Sequence, residues 1–148
     1  MAVLIFINSC TKESSETYKE NTIVYDDYLK STSWQIAGAR LIGLAEVNKE
    51  YLLQRENKNS SPWNFTAIIF DETEKFKSYS SWECRYDCFI SITDVYAFIA
   101  RNKIRLSTGR IERNGLCEVP TELFKDKLSS EYEILRKSKD SVFLVSIT

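Results

Sequence analysis

Short runs of β-branched and aromatic residues follow one another from residue 22 to the end of this chain, and polar turns separate them. Runs of this kind, bounded by turn-forming residues, are typical of β-strands. The strongest run, Phe65–Phe70, is apolar on both faces near its end and predicts a central strand. Further strands are predicted at residues 22–25, 34–44 and 75–81, while residues 50–54 fit a strand or a helix. The pattern therefore predicts a mainly β protein.

Two hairpins and one helix are predicted in the C-terminal third. Residues 95–107 contain two β-prone runs around a short polar turn with Asn102, and residues 132–147 repeat this arrangement. Between them, Pro120 is accepted in a first helical turn, and Leu123, Phe124 and Leu128 form a compact apolar stripe. We therefore expect an α+β fold, an antiparallel sheet or half-barrel with one short helix over residues 121–128 packed on it.

Length and composition limit the range of functions. A chain of 148 residues suits one domain, and 20 basic against 21 acidic residues give a net charge of −1. This balance produces no positive field for gripping nucleic acid, so no nucleic-acid partner is expected. The chain has no histidine, which excludes Ser–His and Cys–His nucleophile pairs and histidine-ligated zinc.

The N-terminus is similar to the end of a bacterial lipoprotein signal. The first seven residues are apolar and uncharged, Ser9 is small enough for signal peptidase, and Cys10 would take the lipid. Residues 1–9 are then a signal remnant, residues 10–21 a polar, flexible tether and residues 22–148 a single β-rich domain. No basic residue precedes the apolar run, however, and a signal needs one. The alternative is a cytosolic protein whose first strand covers residues 3–8.

From Trp34 to Ile147 the order of elements resembles the META domain, the heat-shock HslJ-like fold of many bacterial envelope lipoproteins. Trp34-Gln35-Ile36 matches the opening strand of that family, and Ala67-Ile68-Ile69-Phe70 matches its strand that ends in Phe. A hairpin, a segment ending in Cys117, a helix and two closing strands follow in the same order. A lipocalin-like β-barrel lipoprotein is the close rival. Either resemblance implies a non-enzymatic envelope domain without a cofactor.

Three cysteines remain once Cys10 is set aside. The resemblance implies that Cys117 forms a disulfide with Cys84, or with Cys88 if the extra residues of this chain lie before it. The residues alone also allow buried free thiols. A zinc site of three cysteines and a carboxylate is the weakest option, because only Cys84 and Cys88 are close in sequence. We expect no metal.

Aromatic residues beside polar loops are the candidate anchors of a binding surface. Trp63 follows the loop at residues 57–62, and Trp82 and Tyr86 flank Cys84. Rigid aromatic side chains often anchor binding partners, but these three residues fit core or rim packing equally well. The acidic pairs Asp26/Asp27 and Glu72/Glu74 lie in turn-like sequence and are expected to be solvated. No residue is predicted to be catalytic.

These features lead to two functional hypotheses. The first is an envelope lipoprotein domain, attached to the outer membrane or cell surface through Cys10, that binds a protein or small molecule or acts by structural interaction. The alternative is a soluble cytoplasmic binding protein of the immunity or inhibitor type, with all four thiols reduced. An enzyme that works through paired carboxylates would need two acidic side chains in one pocket.

Overall fold

The computed structural model describes residues 28–38, 40–44, 46–56, 64–81 and 87–147. Within these ranges the regular structure consists of eight strands: β1 (Thr32–Ile36), β2 (Glu50–Arg55), β3 (Phe65–Phe70), β4 (Lys75–Ser81), β5 (Cys88–Ala100), β6 (Lys103–Gly115), β7 (Glu122–Ser138) and β8 (Ser141–Ser146). Neighbouring strands pair antiparallel throughout. The prediction of a mainly β, antiparallel fold is confirmed.

The strands close into a complete barrel. Their order around it is β1-β2-β8-β7-β6-β5-β4-β3, and β3 returns to pair with β1. The predicted half-barrel is therefore corrected to a closed one, because β8 pairs with β2 through Leu53↔Val142 and its neighbours. Strand β1 lies between β2 and β3, so these two consecutive strands are not neighbours in the barrel.

The predicted helix over residues 121–128 is wrong, since these residues belong to the start of β7. Arg110 of β6 pairs with Leu123, and Thr108 pairs with Leu128, so four residues of β7 bulge opposite Gly109. This bulge breaks the two-residue period of a strand. Phe124 packs against the core while Leu123 and Leu128 are exposed, so the predicted apolar stripe is not one buried face.

Both predicted hairpins are confirmed. Strands β5 and β6 meet at Arg101–Asn102, and β7 and β8 meet at Lys139–Asp140. Residues 50–54 belong to strand β2, whereas β1 ends at Ile36 and does not extend toward Leu44. The strands predicted at residues 22–25 and, alternatively, 3–8 lie outside the described residues.

The register gives the barrel two distinct ends. One end, called here the tight-turn end, carries residues 28–31 and the short turns β3–β4, β5–β6 and β7–β8. The other, called the arm end, carries residues 37–49, the β6–β7 connection and Ile147. Alternate side chains of each strand fill the interior between the two ends and are almost fully buried: Trp34, Leu53, Ile68, Phe70, Ile92, Leu106, Tyr132, Ile134 and Leu144.

Candidate functional site

The interior of the barrel is occupied by its own chain at the arm end. Residues 41–44 enter the barrel, and Ile42 is fully buried there. The Ile42 N–H donates to Ser78 Oγ at 2.9 Å, and Thr108 Oγ1 donates to the Gly43 carbonyl at 2.6 Å. Gly43 has a φ of +115°, and a Cβ there would lie 2.9 Å from Ile92 Cγ2. This segment, called here the plug, fills space that an empty barrel would offer to a ligand.

Two tyrosines next to the plug are held in their neutral form. Burial raises the pKa of Tyr51 well above 10.0, and the 3.0 Å hydrogen bond from its hydroxyl to Glu46 raises it further. Burial also raises the pKa of Tyr132, although the Ser130 hydroxyl and the Gly43 N–H offset part of this effect. The Gly43 N–H donates to Tyr132 Oη at 3.3 Å. Tyr132 therefore helps to hold the plug, and both phenols are unsuited to act as bases near neutral pH.

The tight-turn end is closed by Tyr28 and Leu29, which precede β1. Trp34 Nε1 donates to the Leu29 carbonyl at 3.2 Å, and both residues are fully buried. The Tyr28 ring packs on Trp34 at a centroid distance of 5.4 Å, and its hydroxyl donates to the carbonyls of Ser138 and Lys139. The guanidinium groups of Arg55 and Arg136 lie 5.1 and 4.9 Å from the centre of the Tyr28 ring.

The acidic residues of the β3–β4 turn have a structural role. Burial alone would raise the pKa of Asp71, but hydrogen bonds from the backbone of Lys75 and Thr73 and from the Thr73 hydroxyl lower it overall. Glu72 accepts a hydrogen bond from Ser31 at 3.0 Å, and Glu72 and Glu74 are exposed, as the sequence predicts. Asp26 and Asp27 precede the described residues.

Three strands continue past the rest of the barrel at the arm end. Pairing of β5 with β4 stops at Ser91, whereas β5 stays paired with β6 as far as Cys88↔Gly115. Strand β7 pairs with β8 only from Tyr132 onward, so its first residues are paired on one side alone. We call residues 88–90 and 111–123 the arm. It is a three-stranded extension whose two outer edges have no strand neighbour within the described structure.

A disulfide and a polar cluster hold the tip of the arm. Cys88 and Cys117 are bonded, with their Cα atoms 4.7 Å apart and a sequence separation of 29. The Arg113 side chain forms an ion pair with Glu122 at 2.7 Å and donates to the Pro120 carbonyl at 2.7 Å, while the Arg113 backbone N–H donates to Thr121 Oγ1 at 3.2 Å. Several independent contacts therefore order the β6–β7 connection although little of it is buried.

The arm end exposes apolar side chains. Leu116 and Leu123 are each 70% exposed and Val119 is 50% exposed. Among the described residues, nine large apolar side chains are exposed, and six of them lie at this end: Leu44, Val47, Leu116, Val119, Leu123 and Ile147. Concentrations of exposed apolar surface on soluble domains commonly mark sites of interaction. The arm end is therefore the candidate binding surface.

The structure tests only part of the predicted site. Of the two pairings that the resemblance implied, it selects Cys88 with Cys117. Cys10, Cys84, Trp63, Trp82 and Tyr86 all lie outside the described residues, so their predicted roles stay predictions. Ser81 and Asp87, the described residues on either side of Trp82 and Tyr86, both lie at the arm end.

The exposed residues of the arm were missed by the sequence reasoning. Leu116 and Val119 lie close to Cys117 in a short connection. Apolar residues beside a cysteine in a loop are the sequence pattern that could have indicated an exposed apolar surface there. The group of Tyr28, Arg55 and Arg136 was also missed. These three residues come from separate segments, and no local pattern connects them.

Comparisons of the chain with protein-family models, with curated proteins and with solved structures find no match. In the part of the chain that the structure describes, no three His, Cys, Asp or Glu residues are grouped so that they could hold a metal ion. The same part contains no helix with the length and apolar character needed to cross a membrane.

Proposed function

We propose that this chain is a non-enzymatic domain of the bacterial cell envelope, attached to a membrane through lipid on Cys10, that acts by binding or structural interaction. The Cys88–Cys117 disulfide is the observation that carries the proposal. Disulfides persist in the periplasm and on cell surfaces and are rare in the reducing cytosol. The bond therefore supports an extracytoplasmic location, either at the outer membrane or on the cell surface.

The architecture supports a β-rich envelope domain and distinguishes the two resemblances. Lipocalins are up-and-down barrels, in which consecutive strands are neighbours. Here β1 lies between β2 and β3, which departs from that order. The plug also occupies the interior, where a lipocalin-like barrel would hold a ligand. Both observations weigh against the lipocalin-like assignment, while the strand at residues 122–138 in place of the expected helix removes one element of the META-like resemblance.

The arm provides the surface for the proposed binding activity. Leu116, in the β6–β7 connection, and Leu123, at the start of β7, lie in a region held by the disulfide and by the Arg113–Glu122 ion pair. A surface that is already ordered loses little conformational entropy on association. We therefore place the partner, a protein, at the arm end, on the side of the barrel opposite to the entry of the chain at Tyr28.

Metabolic labelling with a fatty acid tests the anchor. The wild-type chain is expected to take up label in a bacterial host, Cys10→Ala is expected to lose it, and Cys84→Ala is the matched control that keeps it. An unlabelled wild type, or label that persists in Cys10→Ala, would contradict the proposal.

The intact mass of the native protein tests the compartment. The proposal expects a mass with lipid attached and with Cys88 and Cys117 oxidised. The cytoplasmic alternative, an immunity- or inhibitor-type protein, expects no lipid and four reduced thiols. The disulfide weighs against that alternative, and four free thiols in protein isolated under alkylating conditions would restore it.

A further inference from the structure

The chain segment that contains Cys10 joins the barrel at the tight-turn end. Tyr28, the first described residue, is bonded there to the carbonyls of Ser138 and Lys139. Cys10 lies 18 residues earlier in the sequence, a span of at most about 60 Å for a fully extended chain. If Cys10 carries lipid, as the proposed function requires, the tight-turn end is the part of the barrel linked most directly to the membrane.

Two guanidinium groups stand beside this entry point, and no carboxylate of the described residues forms an ion pair with either of them. Arg55 lies 5.1 Å from the Tyr28 ring and 5.3 Å from the Trp34 ring, and Arg136 lies 4.9 Å from the Tyr28 ring. Both side chains are exposed, and neither forms an ion pair within the described ranges. Arg136 donates only Nε, to the Ser138 carbonyl at 3.1 Å. An arginine beside an aromatic ring keeps its remaining N–H donors available to an anion.

Basic residues lie near Tyr28 at the tight-turn end. Lys137 and Lys139 follow Arg136 along the chain, and two exposed acidic residues, Glu56 and Asp140, belong to the same region. The β3–β4 turn at the same end carries instead three acidic residues, Asp71, Glu72 and Glu74. A negatively charged surface would therefore attract the Arg55–Arg136 side and repel the β3–β4 side.

We infer that Arg55 and Arg136 bind phosphate groups of anionic membrane lipids and hold this side of the barrel against the bilayer. The chemistry required is a planar donor group for phosphate, which guanidinium supplies. A membrane is favoured over nucleic acid because the positive region holds only a few charges, and because lipid on Cys10, as the proposed function requires, would keep this end at the bilayer. In this orientation the arm end points away from the membrane, where a partner has access to it.

Vesicle binding by the full chain with Cys10→Ser tests this inference without any contribution from lipid. The protein is expected to co-sediment with vesicles that contain phosphatidylglycerol and to bind much less to pure phosphatidylcholine. Arg55→Gln with Arg136→Gln should lower the partition coefficient by about fivefold for each arginine, or roughly 25-fold in total. Added salt should weaken wild-type binding in the same direction.

The matched control is Arg40→Gln with Lys125→Gln, which removes the same net charge far from the tight-turn end. This control should leave the partition coefficient nearly unchanged, and an equal loss in both double variants would overturn the inference. Arg55→Lys with Arg136→Lys keeps the charge and should lose less than the Gln pair. An equal loss in the Lys and Gln pairs would assign the effect to disturbed packing of Tyr28 and would also overturn it.

Three other outcomes would contradict the membrane assignment. Equal binding to both kinds of vesicle would indicate insertion of apolar residues. Displacement by inorganic phosphate at constant ionic strength would indicate a site for a soluble phosphate compound. Arginine-dependent binding to a single-stranded oligonucleotide, without vesicle binding, would indicate a nucleic-acid partner. None of these outcomes bears on acylation of Cys10, which the labelling experiment reports separately.

Discussion

The closed barrel and the arm are built on different physical principles. In the barrel, strands have partners on both sides and their inward side chains, such as Trp34, Ile68 and Leu144, are completely buried. In the arm, three strands have open outer edges, and Leu116 and Leu123 are each 70% exposed. Burial of apolar surface stabilises the first region. In the second, Ile111 is buried and Ile90 packs against the core, and a disulfide and an ion pair hold the exposed remainder. Because Leu116 and Leu123 bury little apolar surface, we expect them to contribute little to stability.

Loss of the disulfide should have the largest effect. Cys88→Ser with Cys117→Ser removes a bond between residues 29 apart, and the chain-entropy model gives a loss of about 3–4 kcal/mol in the free energy of unfolding. Urea denaturation measures this loss, with Cys84→Ser as the control that leaves the Cys88–Cys117 bond intact. Hydrogen exchange should show faster opening in residues 88–90 and 111–123 than in β1 or β8. Uniform acceleration across the barrel would show that the two regions are one cooperative unit.

Substitution at the plug should be nearly as severe. In Gly43→Ala the new Cβ would lie 2.9 Å from Ile92 and 3.1 Å from Phe76, and the φ of +115° is unfavourable for alanine. Strain and overpacking together give an expected loss of about 3 kcal/mol in the free energy of unfolding.

Gly38→Ala is the matched control for the plug, because Gly38 has a φ of +86° but no atom within 4 Å of the new Cβ. Backbone strain alone should cost it about 1 kcal/mol. Thermal unfolding of the two variants separates crowding from backbone strain. Similar losses in both would mean that the barrel tolerates displacement of the plug.

High pH should weaken the barrel before it affects the arm. Burial raises the pKa values of Tyr51 and Tyr132 above the ordinary 10.0, so the stability that their neutral forms contribute is complete below pH 10.0 and is lost as the pH rises toward the folded-state values. The urea concentration at the unfolding midpoint should therefore decrease as the pH rises above 10.0, and the decrease should be smaller in Tyr132→Phe. An identical pH dependence in Tyr132→Phe would exclude Tyr132 as a cause.

The barrel wall was more predictable from sequence than its closure. The hairpins at residues 95–107 and 132–147 depend on local alternation and turn residues, and the structure confirms them. Pairing of β8 with β2 connects residues about ninety positions apart, for example Leu53 with Val142, and no local pattern indicates it. The plug is equally non-local, since Gly43 contacts Thr108 and Tyr132. The predicted half-barrel reflects this missing information.

The error at residues 121–128 has a specific physical origin. Phe124 alone of the three apolar residues packs against the core, while Leu123 and Leu128 are exposed on either side of the bulge opposite Gly109, so the apolar stripe in the sequence does not mark one buried face. The candidate site was only partly predictable for a related reason. Cys88 and Cys117 are visible as cysteines, but the exposure of Leu116 and Leu123 follows from strands that extend beyond their neighbours. Strand length relative to the barrel is a tertiary property.

The substitution that we expect to change stability least gives the sharpest test of the difference between the arm and the barrel. Leu123→Ser should change the free energy of unfolding by less than about 0.5 kcal/mol, because Leu123 is already 70% exposed and buries little apolar surface. Leu106→Ser is the matched change in the barrel wall. Its side chain is fully buried, so the substitution should lower the free energy of unfolding by about 3 kcal/mol or more. Urea denaturation of both variants measures the difference. A large loss in Leu123→Ser would mean that the arm leucines stabilise the fold and would remove the reason to regard the arm end as a binding surface.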